Sequence, residues 1–155
     1  MDLYFLRHAD AEEQEPDSLD ADRQLTPKGR DQAQRAADWL RKRKVKPELV
    51  LTSPLTRAVE TAEPVAAALH AEIEEDVRLA GGKLSPRSLA AMLADFENPA
   101  SVVLVGHEPD FSMIITQLTA EPVEMRKAAL ALVQGEEIAE EEMELVWVVP
   151  SKLQD

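Results

Sequence analysis

The segment Leu3-Tyr4-Phe5-Leu6-Arg7-His8 passes from a short apolar run directly to an arginine and a histidine. An apolar run of this length predicts a buried β-strand. The pattern returns at residues 101–107, where Ser-Val-Val-Leu-Val is followed by Gly-His, and a third short strand is predicted at residues 48–52. Three buried strands therefore form the frame of the predicted fold.

Helices are predicted between these strands, and their starts are marked by proline. Thr26-Pro27, Ser53-Pro54 and Ser85-Pro86 each place an N-cap residue directly before a proline in the first turn. Apolar residues at helical spacing follow each of them, and Pro109 opens a fourth helix. Pro64 falls inside the second apolar stretch, so a kink or a break is expected in that helix.

The remaining strands are predicted at residues 71–77, 129–133 and 144–149. A stretch with six glutamates, residues 136–144, joins the last two and is interpreted as a solvated loop, so these strands are expected to pair as a hairpin at one side. Strands that alternate with helices predict an α/β layered fold with a mostly parallel sheet. Because no repeat or linker interrupts the pattern, residues 1–155 are expected to form a single domain.

The composition excludes several classes of function. The chain has 30 acidic and 17 basic side chains and a formal net charge of -13, so a nucleic-acid partner is not expected. It has no cysteine, which excludes disulfides and cysteine nucleophiles. No apolar run is long enough to cross a membrane and the N-terminus lacks a signal-peptide pattern, so we expect a cytoplasmic protein without a membrane partner.

Basic residues follow three predicted strands at the ends where parallel α/β sheets bind ligands. Arg7 and His8 follow the first strand, Arg57 lies in the first turn of the helix after the second, and His107 follows the strand at residues 101–105. The helix N-terminus beside Arg57 adds free N–H groups and partial positive charge. Two arginines and two histidines are therefore expected to share one rim of the sheet.

Two arginines have alternative interpretations. Arg23 lies in the loop that faces this rim, where it either binds substrate or pairs with Asp20 or Asp22. Arg57 is interpreted as a phosphate-binding residue, with a salt bridge to Glu60 or Glu63 as the alternative.

The residues at this rim suit phosphoryl transfer without a metal ion or another cofactor. Arginine binds phosphate oxygens in a bidentate way. A histidine with an ordinary pKa of about 6.5 can act as a neutral nucleophile near neutral pH. A second histidine, kept protonated by the phosphate, can stabilise charge on the transferring group.

Four motifs resemble those of the histidine phosphatase (phosphoglycerate mutase-like) superfamily, in the same order. Leu6-Arg7-His8-Ala9 resembles its Arg-His-Gly signature, and residues 25–33, Leu-Thr-Pro-Lys-Gly-Arg-Asp-Gln-Ala, resemble its Leu-Thr-x-x-Gly-x-x-Gln-Ala segment. Residues 53–62, Ser-Pro-Leu-Thr-Arg-Ala-Val-Glu-Thr-Ala, are similar to its Ser-Pro-x-x-Arg-Ala-x-x-Thr-Ala segment. Residues 105–109, Val-Gly-His-Glu-Pro, resemble its late Gly-His segment. The short chain and the Gly-His-x-Pro form are most similar to the SixA branch of small phosphohistidine phosphatases.

The resemblance implies a fold and a role for each residue. The fold would be phosphoglycerate mutase-like, a three-layer sandwich in which helices flank a central, mostly parallel sheet. His8 would be the nucleophile and become transiently phosphorylated. Arg7, Arg57 and His107 would hold the phosphoryl oxygens. Arg23 is a further phosphate-binding candidate because of its place in the loop, not because of the resemblance.

The sequence departs from the family pattern at two points. Ala9 replaces the usual glycine and adds a methyl group beside the nucleophile, which is expected to narrow the pocket slightly. No carboxylate can be assigned as the general acid that many relatives use. Glu74, Glu75 and Asp76 are candidates, with exposed strand residues as the alternative interpretation. A phosphohistidine substrate would ease this problem, because imidazole is a better leaving group than an alkoxide.

Three functions are compatible with these residues. The first is a phosphatase that acts on phosphohistidine in a protein, such as a histidine phosphotransfer domain. The second is a phosphatase of a small phosphorylated metabolite, and the third is a non-catalytic phosphate-binding module. The complete set of Arg7, His8, Arg57 and His107 argues against the third, because binding alone does not need a nucleophile. The oligomeric state is left open by the sequence.

Overall fold

A computed structural model describes residues 1–155 as one six-stranded sheet with helices on both faces. The elements in chain order are β1 (Asp2–Arg7), α1 (Pro27–Lys42), β2 (Leu49–Thr52), α2 (Thr56–Leu69), β3 (Ile73–Glu75), α3 (Pro86–Asp95), β4 (Ser101–Gly106), α4 (Asp110–Thr119), β5 (Leu130–Gln134) and β6 (Glu144–Val149). The strand order is β3-β2-β4-β1-β5-β6. Strands β3, β2, β4 and β1 are parallel, β5 runs antiparallel to β1, and β6 runs antiparallel to β5 and so in the direction of the others. The predicted α/β class, the mostly parallel sheet and the terminal hairpin are therefore confirmed.

Two separate cores lie on the two faces of the sheet, as a three-layer sandwich requires. Successive strand residues point to opposite faces, so Leu3 and Phe5 of β1 join one core while Tyr4 and Leu6 join the other. Helices α3 and α4 cover the first face, and α1 and α2 cover the second. Burial on both faces explains why β1 and β4 are nearly continuous apolar runs.

Local capping explains where α1 and α3 begin. The Thr26 hydroxyl accepts a hydrogen bond from the Gly29 N–H at 3.0 Å, and Pro27 occupies the first turn. Ser85 and Ser88 exchange hydrogen bonds in a capping box at the start of α3. None of the helices is long and apolar enough to span a membrane.

The sequence prediction for the start of α2 is wrong at Ser53. The helix begins at Thr56, after Leu55, and no side chain caps it. The Ser53 hydroxyl accepts a hydrogen bond from the Leu55 N–H at 3.2 Å and lies 2.7 Å from Nε2 of His107. Ser53 is fully buried at the end of β2, so it bonds a neighbouring strand's histidine rather than the helix.

Helix α2 also continues without a break through Pro64. A proline inside a helix removes one hydrogen bond and costs ~3 kcal/mol. The buried face of the helix, which includes Ala58, Ala62 and Val65, packs against the sheet and offsets that cost.

Candidate active site

The two histidines come together because β1 and β4 are parallel neighbours. Arg7 lies opposite Gly106 in the register of these strands, so His8 and His107 leave the sheet side by side. Their ring centroids are 5.2 Å apart, and both side chains are buried. The carboxyl ends of the two strands thus form the centre of the candidate site, at the edge where α/β sheets bind ligands.

Hydrogen bonds fix both the position and the tautomer of His8. Its main-chain N–H donates to the Gly106 carbonyl at 3.0 Å. Its ring Nδ1 lies 2.8 Å from the Ala9 carbonyl oxygen. A carbonyl oxygen only accepts hydrogen bonds, so Nδ1 carries the proton and Nε2 keeps a free lone pair. The arrangement leaves Nε2 as the nucleophilic atom.

Burial keeps His8 neutral. The desolvation of the ring, with smaller contributions from the charges of His107, Arg57 and Arg7, lowers the pKa of His8 to about 3. At neutral pH the ring is therefore almost entirely in the form that can attack phosphorus.

His107 is hydrogen-bonded at only one of its two ring nitrogens. Its Nε2 is 2.7 Å from the Ser53 hydroxyl, while its buried Nδ1 has no hydrogen-bond partner. Burial and then the charge of Arg57 lower the pKa of His107 to about 4, and the charge of Asp110 opposes this shift. A phosphoryl dianion next to the ring would oppose it further, because an opposite charge favours the protonated form.

Two arginines lie near the histidines, Arg57 buried and Arg7 partly buried. Arg7 follows β1 directly and donates from Nη1 to the Met125 carbonyl at 3.1 Å. Arg57 lies in the first turn of α2 and is also largely buried. In each of them Nε is buried without a hydrogen-bond partner, and burial lowers the pKa of both groups. Each arginine therefore keeps donors that a phosphoryl oxygen can accept from.

Asp20 forms salt bridges with both Arg23, in the loop, and Arg57, at the start of α2. The sequence suggested it only as a partner of Arg23. Arg23 donates from Nε to its carboxylate at 2.8 Å and from Nη1 to the Glu12 carbonyl at 3.1 Å. Arg57 donates to the Asp20 carbonyl and, at 3.3 Å, to the same carboxylate. The pairing of Arg23 with Asp20 is thus the arrangement present. Arg57 pairs with Asp20 and forms no salt bridge with Glu60, which pairs with Arg30, or with Glu63.

Two further motif residues hold the chain just after the nucleophile. The Thr61 hydroxyl accepts from the Ala9 N–H at 3.0 Å and donates to the Arg57 carbonyl at 2.7 Å, which ties α2 to the nucleophile segment. The Gln32 side chain accepts from the Asp10 N–H at 2.9 Å. Sequence reasoning missed Thr61, although its position one helical turn after Arg57 was a usable signal.

The methyl group of Ala9 does not point into the pocket beside His8, where the sequence analysis placed it. The side chain is fully buried in a small apolar cluster with Leu25, Ala33 and Ala128. The methyl group therefore packs into the interior, between the loop and α1, instead of narrowing the space around His8.

The carboxylates proposed from the sequence as general acids are poorly suited to that role. Glu74 and Glu75 are exposed residues of β3, at the edge of the sheet. Asp76 accepts hydrogen bonds from the Arg78 side chain at 2.8 and 2.6 Å, and these hold the pKa of Asp76 below its ordinary value. Glu74 and Glu75 are therefore exposed strand residues, as the alternative interpretation expected. Asp76 lies just after the strand and is paired with Arg78.

The other carboxylates near the histidines are also engaged within the protein. Asp110 accepts from the Gly82 N–H at 3.0 Å through Oδ1, while its Oδ2 is buried without a partner, and Asp20 is held by two arginines. The two oxygens of Glu108 accept from the N–H and the hydroxyl of Ser112. No group of three or more histidine, aspartate or glutamate side chains lies together as metal ligands would.

The chain is similar to known proteins over most of its length. Residues 3–85 match the model of the histidine phosphatase superfamily (branch 1). The phosphohistidine phosphatase SixA of Escherichia coli (strain K12) is 30% identical over 128 residues, which cover 76% of this chain and 74% of that protein. A structure of the protein histidine phosphatase SixA complexed with tungstate matches with a TM-score of 0.82 and 28% identity over 98% of both chains. A mycobacterial glucosyl-3-phosphoglycerate phosphatase shares the fold, with a TM-score of 0.74 and 21% identity over 97% of this chain and 98% of that chain.

Proposed function

Since the chain belongs to the histidine phosphatase superfamily, we propose that it hydrolyses phosphohistidine in a protein through an intermediate in which His8 carries the phosphoryl group. Family membership supports a phosphatase, and the similarity to SixA over three quarters of the chain favours a protein substrate. A histidine phosphotransfer domain is the class of partner that this substrate implies.

The proposed reaction has two steps. In the first, Nε2 of neutral His8 attacks phosphorus, and the new N–P bond forms while the bond from phosphorus to the substrate imidazole breaks. The substrate ring, protonated by solvent on its other nitrogen, leaves as neutral imidazole. In the second step water attacks phospho-His8, the N–P bond breaks, the water's protons stay with the released phosphate or go to solvent, and neutral His8 returns.

Three side chains would stabilise the phosphoryl group as it moves. Arg7 and Arg57 each have a buried Nε–H without a partner, and these donors would bind the equatorial oxygens. His107 stands beside the nucleophile, 5.2 Å between ring centroids, where a protonated ring would donate to a third oxygen. Because these donors are already fixed by the fold, little reorganisation is needed during transfer.

Four nearby carboxylates each accept a hydrogen bond from within the protein through at least one oxygen, and this observation carries the choice of substrate. An alkoxide leaving group needs a general acid, and Asp20, Asp76, Glu108 and Asp110 all accept hydrogen bonds from within the protein. An imidazole leaving group can be protonated by solvent before it departs. The one oxygen of these carboxylates that is buried without a partner, Oδ2 of Asp110, is shielded from solvent. A site with a nucleophile, phosphate-binding donors and no exposed carboxylate free of internal hydrogen bonds therefore suits a phosphoramidate better than a phosphate ester.

The experiment compares a phosphorylated histidine phosphotransfer domain with a panel of small phosphate esters. We expect kcat/KM for the phosphoprotein to exceed that for the best ester by about 10²-fold, the scale on which enzymes discriminate substrates by their fit. His8→Asn, checked for folding by circular dichroism, should abolish both activities. A sugar phosphate turned over faster than the phosphoprotein would instead establish the metabolite phosphatase, the function of one protein that shares this fold.

A further inference from the structure

A cleft of about 1010 Å³ opens beside Arg7 and is lined mainly by cations. Six of its lining residues are basic and two, Asp10 and Asp31, are acidic. The basic residues are Arg7, Lys28, Arg35, Arg126, Lys127 and Lys152. Arg7 is also next to the nucleophile, so the cleft adjoins the position where a substrate's phosphoryl group would be held.

Most of these cations are not neutralised by the protein. Lys127 pairs with Asp10 at 3.0 Å, but neither Lys28 nor Lys152 forms an ion pair. The closest ion-pair contact of Arg126, to Glu124, is 4.0 Å long between two exposed side chains, so it contributes little. The cleft therefore has positive charge available for an external anion.

This charge is notable because the rest of the molecule is strongly negative. Six of the 17 lysines and arginines line this one cleft, in a chain whose net charge is -13. A local concentration of one sign attracts partners of the opposite sign and orients them during encounter. An acidic partner would be repelled by the net charge of the molecule and attracted by this cleft.

The lining of the cleft argues for an extended polar partner. No aliphatic or aromatic side chain lines it apart from Pro150, whereas pockets for small molecules are mostly apolar with a few polar groups. Lys28, Arg35, Arg126 and Lys152 are all exposed, so their ammonium and guanidinium groups can meet a surface. Acidic side chains on a protein fit this lining better than a nucleoside or an aryl group.

We propose that this cleft is the docking surface for acidic residues that flank the phosphohistidine of a protein substrate. The inference rests on the proposed function and specifies the substrate further. Carboxylates on the partner would meet Lys28, Arg126 and Lys152 while its phosphohistidine reaches His8 past Arg7.

The test uses two phosphohistidine peptides of equal length, one with aspartate and glutamate around the phosphohistidine and one with serine and glutamine. The readout is the ratio of kcat/KM for the acidic peptide to that for the neutral peptide. We expect wild-type protein to favour the acidic peptide by about tenfold at low ionic strength and much less in 0.5 M salt, where the Debye length is only ~4 Å.

Two triple variants separate the cleft from the overall charge. Lys28→Glu/Arg126→Glu/Lys152→Glu should lower the ratio to about one or below, because like charges now face the acidic peptide. Lys44→Glu/Lys46→Glu/Arg87→Glu changes the net charge equally, at exposed residues that do not line the cleft, and should keep the wild-type ratio.

The outcomes distinguish failure of the docking surface from failure of the proposed function. If both peptides are turned over with equal kcat/KM, or if both triple variants lower the ratio alike, the docking surface is wrong while phosphohistidine hydrolysis stands. If neither peptide is turned over while a sugar bisphosphate is, the proposed function is wrong and the docking surface falls with it.

Discussion

Asp20 contacts the Arg57 guanidinium twice, through its main-chain carbonyl at 3.0 Å and through its carboxylate at 3.3 Å. The same carboxylate accepts from Arg23 at 2.8 Å. Although partial burial works the other way, the charges of Arg57 and Arg23 hold the pKa of Asp20 below its ordinary value. An internal carboxylate thus occupies one donor, Nη2, of an arginine whose Nε–H the proposed mechanism assigns to phosphate.

Asp20→Ala should strengthen the binding of inorganic phosphate or tungstate. Removal of the carboxylate frees Nη2 of Arg57 from an internal competitor, while the main-chain carbonyl still accepts from Nη1. Because Asp20 is half-exposed the gain should be modest, about 1 kcal/mol or fivefold in Kd. Isothermal titration calorimetry measures the effect directly. Asp22→Ala, in the same turn and without a salt bridge to either arginine, should leave Kd unchanged. Weaker oxyanion binding by Asp20→Ala would show that Asp20 orients Arg57 instead.

The buried histidines should make the folded protein sensitive to acid. The pKa values of His8 and His107 are about 3 and about 4, whereas an unfolded histidine has a pKa of about 6.5. Below pH 6.5 the unfolded chain therefore binds protons that the folded protein does not, so stability falls as the pH decreases toward 4. At pH 5 the loss should be about 2 kcal/mol for each ring, since one pKa unit corresponds to ~1.4 kcal/mol.

Urea denaturation at pH 7.5 and pH 5 measures this loss, and a variant isolates it. Between the two pH values the wild type should lose about 2 kcal/mol more of its free energy of unfolding than His8→Asn does. The exposed His70 provides the control, because His70→Asn should retain the wild-type pH dependence. An equal pH-dependent loss in the wild type and His8→Asn would contradict the buried, neutral state of the nucleophile.

Gly29 has a packing role that links α1 to the nucleophile segment. A Cβ atom at Gly29 would lie 1.9 Å from the Asp10 carbonyl oxygen, and main-chain atoms cannot move aside as a flexible side chain can. Glycine to alanine inside a helix normally stabilises by up to ~1 kcal/mol, but here we expect Gly29→Ala to destabilise the protein by about 3 kcal/mol. Gln34→Ala, on the exposed side of α1, is the control for thermal denaturation. A Gly29→Ala variant as stable as the wild type would mean that this close approach is not needed.

The site residues that could be predicted from the sequence are those at the ends of strands and the start of a helix. His8 and His107 follow buried strands and Arg57 begins a helix, so strand ends and helix starts were enough to group them. Asp20 could not be found in this way, because its contact with Arg57, 37 residues away, depends on the path of an irregular loop. Ser53 was misassigned for a similar reason, since its partner His107 comes from another strand 54 residues later.

The most direct test of the mechanism is to trap phosphate on His8. Incubation with a labelled phosphoramidate donor and a rapid alkaline quench should yield a labelled protein, because a nucleophilic mechanism passes through a covalent intermediate. Labelling should be lost in His8→Asn and retained in His70→Asn, a substitution that the left-handed backbone at His70 tolerates. Arg57→Ala should slow labelling by at least ~10²-fold, the effect of removing one preorganised charge-stabilising donor.

Ser53 offers the competing nucleophile, and the chemistry of the label distinguishes the two. Its hydroxyl lies 2.7 Å from Nε2 of His107, the spacing of a serine next to a general base, although the side chain is fully buried. A phosphate ester on Ser53 would survive acid, whereas a phosphoramidate on His8 would be hydrolysed in acid and survive alkali. Label that is acid-labile and persists in Ser53→Ala is therefore expected. Acid-stable label that disappears in Ser53→Ala would transfer the nucleophilic role from His8 to Ser53, with His107 as its base.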